Sequence, residues 1–204
     1  VWTGLCCTGL ATHASISCVG CHDDVAGKEL PHDENMKRVD CGRCHERELA
    51  LFRECRHGKA SARGDKLAPR CQTCHGSHDI LPVKDPNSAV APIRIPYVCG
   101  KCHREGSPVQ TSRAIAQHEI LENYSESIHG EGLLKKGLSV SATCASCHTS
   151  HNIRPHTDPG STIARANIAA TCAQCHAQIE EVHRKIIKGE LWEKEANVLP
   201  ACVD

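Results

Sequence analysis

Twelve of the sixteen cysteines stand in six C-x-x-C pairs, and each pair is followed at once by a histidine. The pairs are Cys18/Cys21, Cys41/Cys44, Cys71/Cys74, Cys99/Cys102, Cys144/Cys147 and Cys172/Cys175, with His22, His45, His75, His103, His148 and His176 behind them. Two thiols at this spacing can add across the two vinyl groups of one porphyrin, and the adjoining imidazole then reaches the iron as its proximal ligand. Two other chemistries use C-x-x-C. Cys18–Cys21 and Cys41–Cys44 have the separation of a zinc ribbon, and a lone pair could be a thiol–disulfide motif. Neither requires the histidine. With 15 histidines in 204 residues, six in succession at one position would arise by chance on the order of once in ten million. The spacing predicts six covalently bound haem c groups. Covalent attachment of this kind implies export, so the expected compartment is periplasmic or extracellular.

Two motifs carry a second histidine, in CQTCHGSHDI (71–80) and CASCHTSHNI (144–153). Histidines on opposite faces of one haem have Cα atoms roughly 12 Å apart, while three extended residues span at most about 11 Å. His78 and His151, if they bind iron, therefore bind that of a neighbouring haem.

The elements that position these groups have little else to pack with. The chain holds one Phe, two Tyr and two Trp, too few large side chains for an ordinary core. At about 34 residues per haem the porphyrins would fill that role, as in small metal-organised domains. The expected fold is mostly irregular with a few α-helices, organised by haem, with little or no β-sheet. Lys and Arg balance Asp and Glu at 24 each, which gives no bias toward nucleic acid. No stretch approaches the roughly 20 apolar residues of a membrane span. Residues 1–14, VWTGLCCTGLATHA, read as the end of a secretory apolar region with a small-residue cleavage site, or as a retained segment, the expectation adopted here.

A shift of 73 residues superimposes Cys71 on Cys144, His78 on His151, Asp85-Pro86 on Asp158-Pro159, Ser88 on Ser161 and Cys99 on Cys172. Upstream, FRECRHG (52–58) aligns with YSESIHG (124–130) after a one-residue slip, pairing His57 with His129. A third start follows His176, where Lys188 stands in place of His57. The expected organisation is an N-terminal arm with the first haem (1–40), a first haem repeat (41–112), a second (113–176) and a C-terminal helix and tail (177–204). Periodic apolar residues predict helices near 43–57, 113–129 and 173–195, the last with Ile179, Val182, Ile186 and Ile187 on one stripe beside His183. Residues 81–96 and 154–167, rich in Pro, Asp and Ser, are expected loops.

The order S-x-H-G, C-x-x-C-H-G-x-H, C-G-x-C-H resembles the multihaem cytochromes c of respiratory and metal-reducing prokaryotes, over roughly residues 41–190. The resemblance implies that His57, His78, His129 and His151 are distal haem ligands. Departures are Cys55 at the Ser position kept by Ser127, Thr149 where the first repeat has Gly76, and Lys188. Among the other histidines His32, His118 and His183 are candidate ligands and His156 a free side chain. Met36 is the one methionine and reads as an ordinary residue. In filaments of this broad family a histidine can ligate haem of the next subunit, which makes His13, on the N-terminal arm, a candidate inter-subunit ligand. Cys6, Cys7, Cys55 and Cys202 are left over; a disulfide from Cys6 or Cys7 to Cys202 is one expectation, and a small buried thiol is another for Cys55.

The chemistry expected is electron transfer, not catalysis. No motif has Lys in place of His, and distal candidates outnumber irons. The favoured form is a conduit that continues its haem chain into neighbouring subunits, as an extracellular filament passing electrons to redox partners or an extracellular acceptor. A soluble periplasmic carrier is the alternative, and a reductase of oxyanions, needing an open iron, a more distant one.

Overall fold

The computed structural model describes residues 11–28, 36–113, 115 and 117–187, with side chains as far as Ala177. The chain falls into two units, residues 1–143 and 144–204. The first unit takes in the N-terminal arm, the first repeat and the helical start of the second. Among the described residues the structure is helical or irregular, without β-sheet.

Helices form where the motifs are. Cys18–Cys21, Cys71–His75 and Cys144–His148 are short helices, Cys99–His103 closes the helix Ile95–His103, and Cys172–His176 lies within Ile168–Ile187. The second motif is a 3-10 turn, Cys41–Arg43, capped by Asp40 through the Gly42 N–H at 2.9 Å. A helical turn places residues i and i+3 on one face, so both sulfurs of a motif can meet one porphyrin edge.

The helix expected over 43–57 is two helices, Glu46–Glu54 and Arg56–Ala62. They break at Cys55, whose Sγ accepts the Gly58 N–H at 3.3 Å. In the second repeat Ser127 separates Ile120–Glu126 from Ile128–Gly130, and its Oγ accepts the Gly130 N–H at 3.1 Å. Cys55 is thus a cap equivalent to serine, buried at 1% exposure, with the sulfur as a weak acceptor. The helix expected over 113–129 starts only at Ile120, after Glu119 in left-handed backbone (φ 53°). Before it lie a separate helix, Pro108–Ser112, and a tether in which Arg113 grips both oxygens of Asp65 at 2.6 Å.

The loops repeat atom for atom. Asp85 and Asp158 each accept a backbone N–H two residues on, at 2.8 Å. Ser88 and Ser161 donate to the carbonyls of Leu81 and Arg154 at 3.2 Å. Arg94 and Asn167, also 73 apart, donate to Pro86 and Pro159 at 3.3 and 2.8 Å. The loops are shorter than expected: Pro92–Arg94 and Arg165–Asn167 are 3-10 turns, and the helix beginning at Ile95 takes the end of the first.

After each of these motifs the chain turns through positive φ, at Gly76 (82°) and Thr149 (64°). A β-branched residue is strained there, and the Thr149 hydroxyl is buried without a hydrogen-bond partner. Thr149→Gly is expected to stabilise the protein by about 0.5–1 kcal/mol, read as a higher denaturation midpoint at unchanged slope. A lower midpoint would mean that the threonine makes a contact worth more than the strain.

Side chains supply little core. The buried apolar residues among those described are Ala11, Cys18, Val25, Cys55, Val90, Ala91, Leu133 and Ala164. Ile128 and Val140 meanwhile stand 83% and 87% exposed.

Candidate cofactor sites

Three motif histidines each face a second imidazole from a distant part of the chain. His22 lies 6.2 Å from His78 between ring centroids, with the planes at 43°. His45 lies 6.0 Å from His13 at 85°, and His103 lies 6.1 Å from His57 at 42°. Each pair joins one C-x-x-C-H histidine to one non-motif histidine. Two imidazoles bound through nitrogen to opposite sides of one metal ion have centroids about 6.3 Å apart, given metal–nitrogen bonds of about 2.0 Å. Tilted or edge-to-face contact between two rings covers the same range of separation, so what sets these pairs apart is that each joins a motif histidine to one from elsewhere in the chain.

Local geometry prepares the motif histidines. His22, His45 and His176 leave the helical region, with φ of −108°, −107° and −109°. Burial lowers the proton affinity of His57 and His103, and His103 adds to the effect on His57. The neutral ring is the form that offers a lone pair to a metal.

The non-motif histidines are held by the framework. His57 and His129 sit directly behind the capped junctions, one residue before Gly58 and Gly130. The arm bearing His13 is pinned to the segment bearing His78 by the Thr12 N–H donating to the Ile80 carbonyl at 2.7 Å.

The thiols converge across motifs. Burial pushes up the pKa of Cys41, Cys74 and Cys147. Next in effect on Cys41 is Cys71, which also hydrogen-bonds to it, and on Cys74 it is Cys102. Cys147 feels its motif partner Cys144 and then Cys175, the counterpart of Cys74 with Cys102. A cysteine of one motif thus lies close to a cysteine of the next. Cys18 is disulfide-bonded, and no other described cysteine is. A sulfur in a disulfide cannot also form a thioether, so attachment through Cys18 requires that bond to be reduced first.

His78 stands by His22, the histidine of a motif other than its own. His13, expected to serve a neighbouring subunit, faces His45 of its own chain. No sequence signal joined those two, because the arm is placed by a backbone hydrogen bond. His118 does not share a helix with His129: it precedes Ile120 and is exposed. Gln110 donates from Nε2 to the Gln117 carbonyl, and the same nitrogen meets His118 Nδ1, both at 3.0 Å. His129 and His151 are half-buried and His156 is exposed. His32, Cys6, Cys7, Cys202, Lys188 and the side chain of His183 lie outside the described residues, as does most of the 1–14 segment.

A structural zinc ion needs four converging ligands. Among the described residues no group of three or more His, Cys, Asp or Glu converges in that way; imidazoles meet in twos. Nor is any described helix long and apolar enough to cross a membrane. No family model matches the chain, and neither does any curated protein or solved structure.

Proposed function

We propose that the chain is a hexahaem c-type cytochrome that carries electrons. The observation that carries this reading is the set of three imidazole pairs at 6.0–6.2 Å, each containing one motif histidine. That separation leaves room for one metal ion and the thickness of a porphyrin, and two cysteines precede each motif histidine in the chain to fix the ring. When bound, haem supplies one-electron exchange at iron. The chain's part is to present a nitrogen on each face so that no ligand has to change with redox state. The shortage of core side chains and the exposure of Ile128 and Val140 agree with surfaces that a large apolar group would cover.

The nearness of Cys41 to Cys71 and of Cys74 to Cys102 favours passage from one haem to the next over six isolated centres. Filled faces at three centres weigh against a reductase. Within this reading the His13–His45 pair favours a carrier over a filament, because the histidine best placed to reach a second subunit is engaged at home. Export to the periplasm or cell exterior remains part of the proposal, since thioether attachment goes with it.

The test is composition. Protein produced with a haem-attachment system is expected to carry six haems per chain, by intact mass and by haem absorbance, with ferric spectra of low-spin type. Zinc in place of haem, or a chain that folds as free thiols, would overturn the proposal.

A further inference from the structure

Cys18 differs from the other eleven motif cysteines in two ways. It is disulfide-bonded, while those eleven are free thiols. It is also buried, at 6% exposure, where every other motif cysteine is half-buried or exposed. Its motif partner Cys21 is free and half-buried. The two ends of the helical turn Cys18–Cys21 thus present different sulfur chemistry.

The surroundings of this motif form a side-chain core of their own. Ala11, Cys18 and Val25 are three of the eight buried apolar residues among those described, and they fall within one short stretch of chain. Local bonds tie that stretch together. The Ile16 N–H donates to the His13 carbonyl at 2.9 Å, the His22 N–H to that of Cys18 at 2.8 Å, and the Val25 N–H to that of His22 at 3.2 Å. A Cβ on Gly20 would stand 2.6 Å from Cγ2 of Ile16, so the turn carrying the motif lies against the arm that precedes it.

Forming a thioether adds a cysteine S–H across a vinyl double bond. Sulfur takes one carbon, hydrogen takes the other, and no electrons leave. A sulfur already in a disulfide has no hydrogen to give. Releasing it needs attack by a thiolate and two electrons from a dithiol, and burial denies the access that such exchange requires. We infer that the first motif is a single-attachment site, in which Cys21 and His22 serve the haem and Cys18 is a structural disulfide cysteine. The inference rests on the haem reading and deepens it: five rings are fixed at both vinyl groups and one at a single vinyl group. This motif fits the group in part, since Cys21 is a free thiol and His22 faces His78 at 6.2 Å, and only Cys18 departs. The disulfide itself forms when two thiols pass two protons and two electrons to a protein disulfide, by exchange in the exporting compartment. The other five motifs keep both thiols free.

The experiment is differential thiol labelling of the denatured holoprotein, read by fragment mass. Free thiols are blocked with one alkylating reagent, disulfides are reduced, and the thiols released are marked with a second. Cys18 is expected to take the second label, while Cys21 takes neither and carries the mass of haem. Cys71 and Cys74 should take neither. A second measurement uses the alkaline pyridine spectrum, in which a ring that keeps one vinyl group absorbs at longer wavelength. About one sixth of the haem should show that shift in wild type and in Cys18→Ser, and about one third in Cys71→Ser. Six haems with Cys18 in a thioether or carrying the first label, or a shifted fraction that rises in Cys18→Ser, would overturn the inference and leave the haem reading standing. A chain without haem would remove that reading, and the single attachment with it.

Discussion

On the proposed haem reading, His78→Ala is expected to leave one haem in six with an open face. The residue lies 6.2 Å from His22 and comes from a segment 56 positions later, so no neighbour in sequence can replace it. In ferric protein about one sixth of the haem signal should pass from low spin to high spin, by electron paramagnetic resonance and by the charge-transfer absorption. His57→Ala, acting on the His103 centre, should do the same, and the double variant should convert about one third, since the two pairs share no residue. His156→Ala, exposed in a loop, should change nothing. Retention of six low-spin haems in His78→Ala would mean that the pairing with His22 is not ligation. Loss of haem from all sites would point to a misfolded chain, and His78→Met separates that outcome by offering a weaker ligand of similar bulk.

The second large effect involves no ligand. A Cβ on Gly58 would sit 1.8 Å from the carbonyl oxygen of Phe52, and one on Gly130 would sit 1.9 Å from that of Tyr124. Both obstacles are backbone, in the helix just completed, so no side chain can swing aside. Gly58→Ala must open the junction at Cys55, break the cap from the Gly58 N–H and carry His57 away from His103. We expect a loss of about 2–4 kcal/mol, read from denaturant unfolding, together with a high-spin fraction like that of His57→Ala. Cys55→Ser, which exchanges one cap for the atom its repeat already uses at Ser127, should cost less than about 1 kcal/mol. If Gly58→Ala proved as mild as Cys55→Ser, the junction would not be what places the histidine.

Those two residues also mark how far the sequence could be read. The "HG" pair was visible as a repeated string with a histidine in it, and its ligand role came by resemblance. The glycine's reason lies in the carbonyl of a preceding turn, and the cysteine's in a single hydrogen bond. The C-x-x-C-H motifs were legible because everything they need is local: two sulfurs one turn apart and a histidine that leaves the helix. Partner choice was not legible, since His13 meets His45 only after Thr12 has paired with Ile80. The late start at Ile120 was hidden for the same reason. Residues 113–119 carry an acceptable helical pattern, but Arg113 is drawn to Asp65 and the His118 segment to Gln110, and those tertiary bonds outweigh local propensity.

The three imidazole pairs span residues 13–45, 22–78 and 57–103. As a problem in polymer statistics, these are three closed loops, and each opens before the previous one has shut. A metal ion seated in any pair acts as a cross-link. For loops of this length such a link removes chain entropy from the unfolded state worth about 4 kcal/mol. Because the loops interlock, releasing the middle one leaves both of its ends inside the loops on either side. The segment from His13 to His103 would then be knotted in effect though not in topology, and its resistance to unfolding would come from what the denatured chain is forbidden to do.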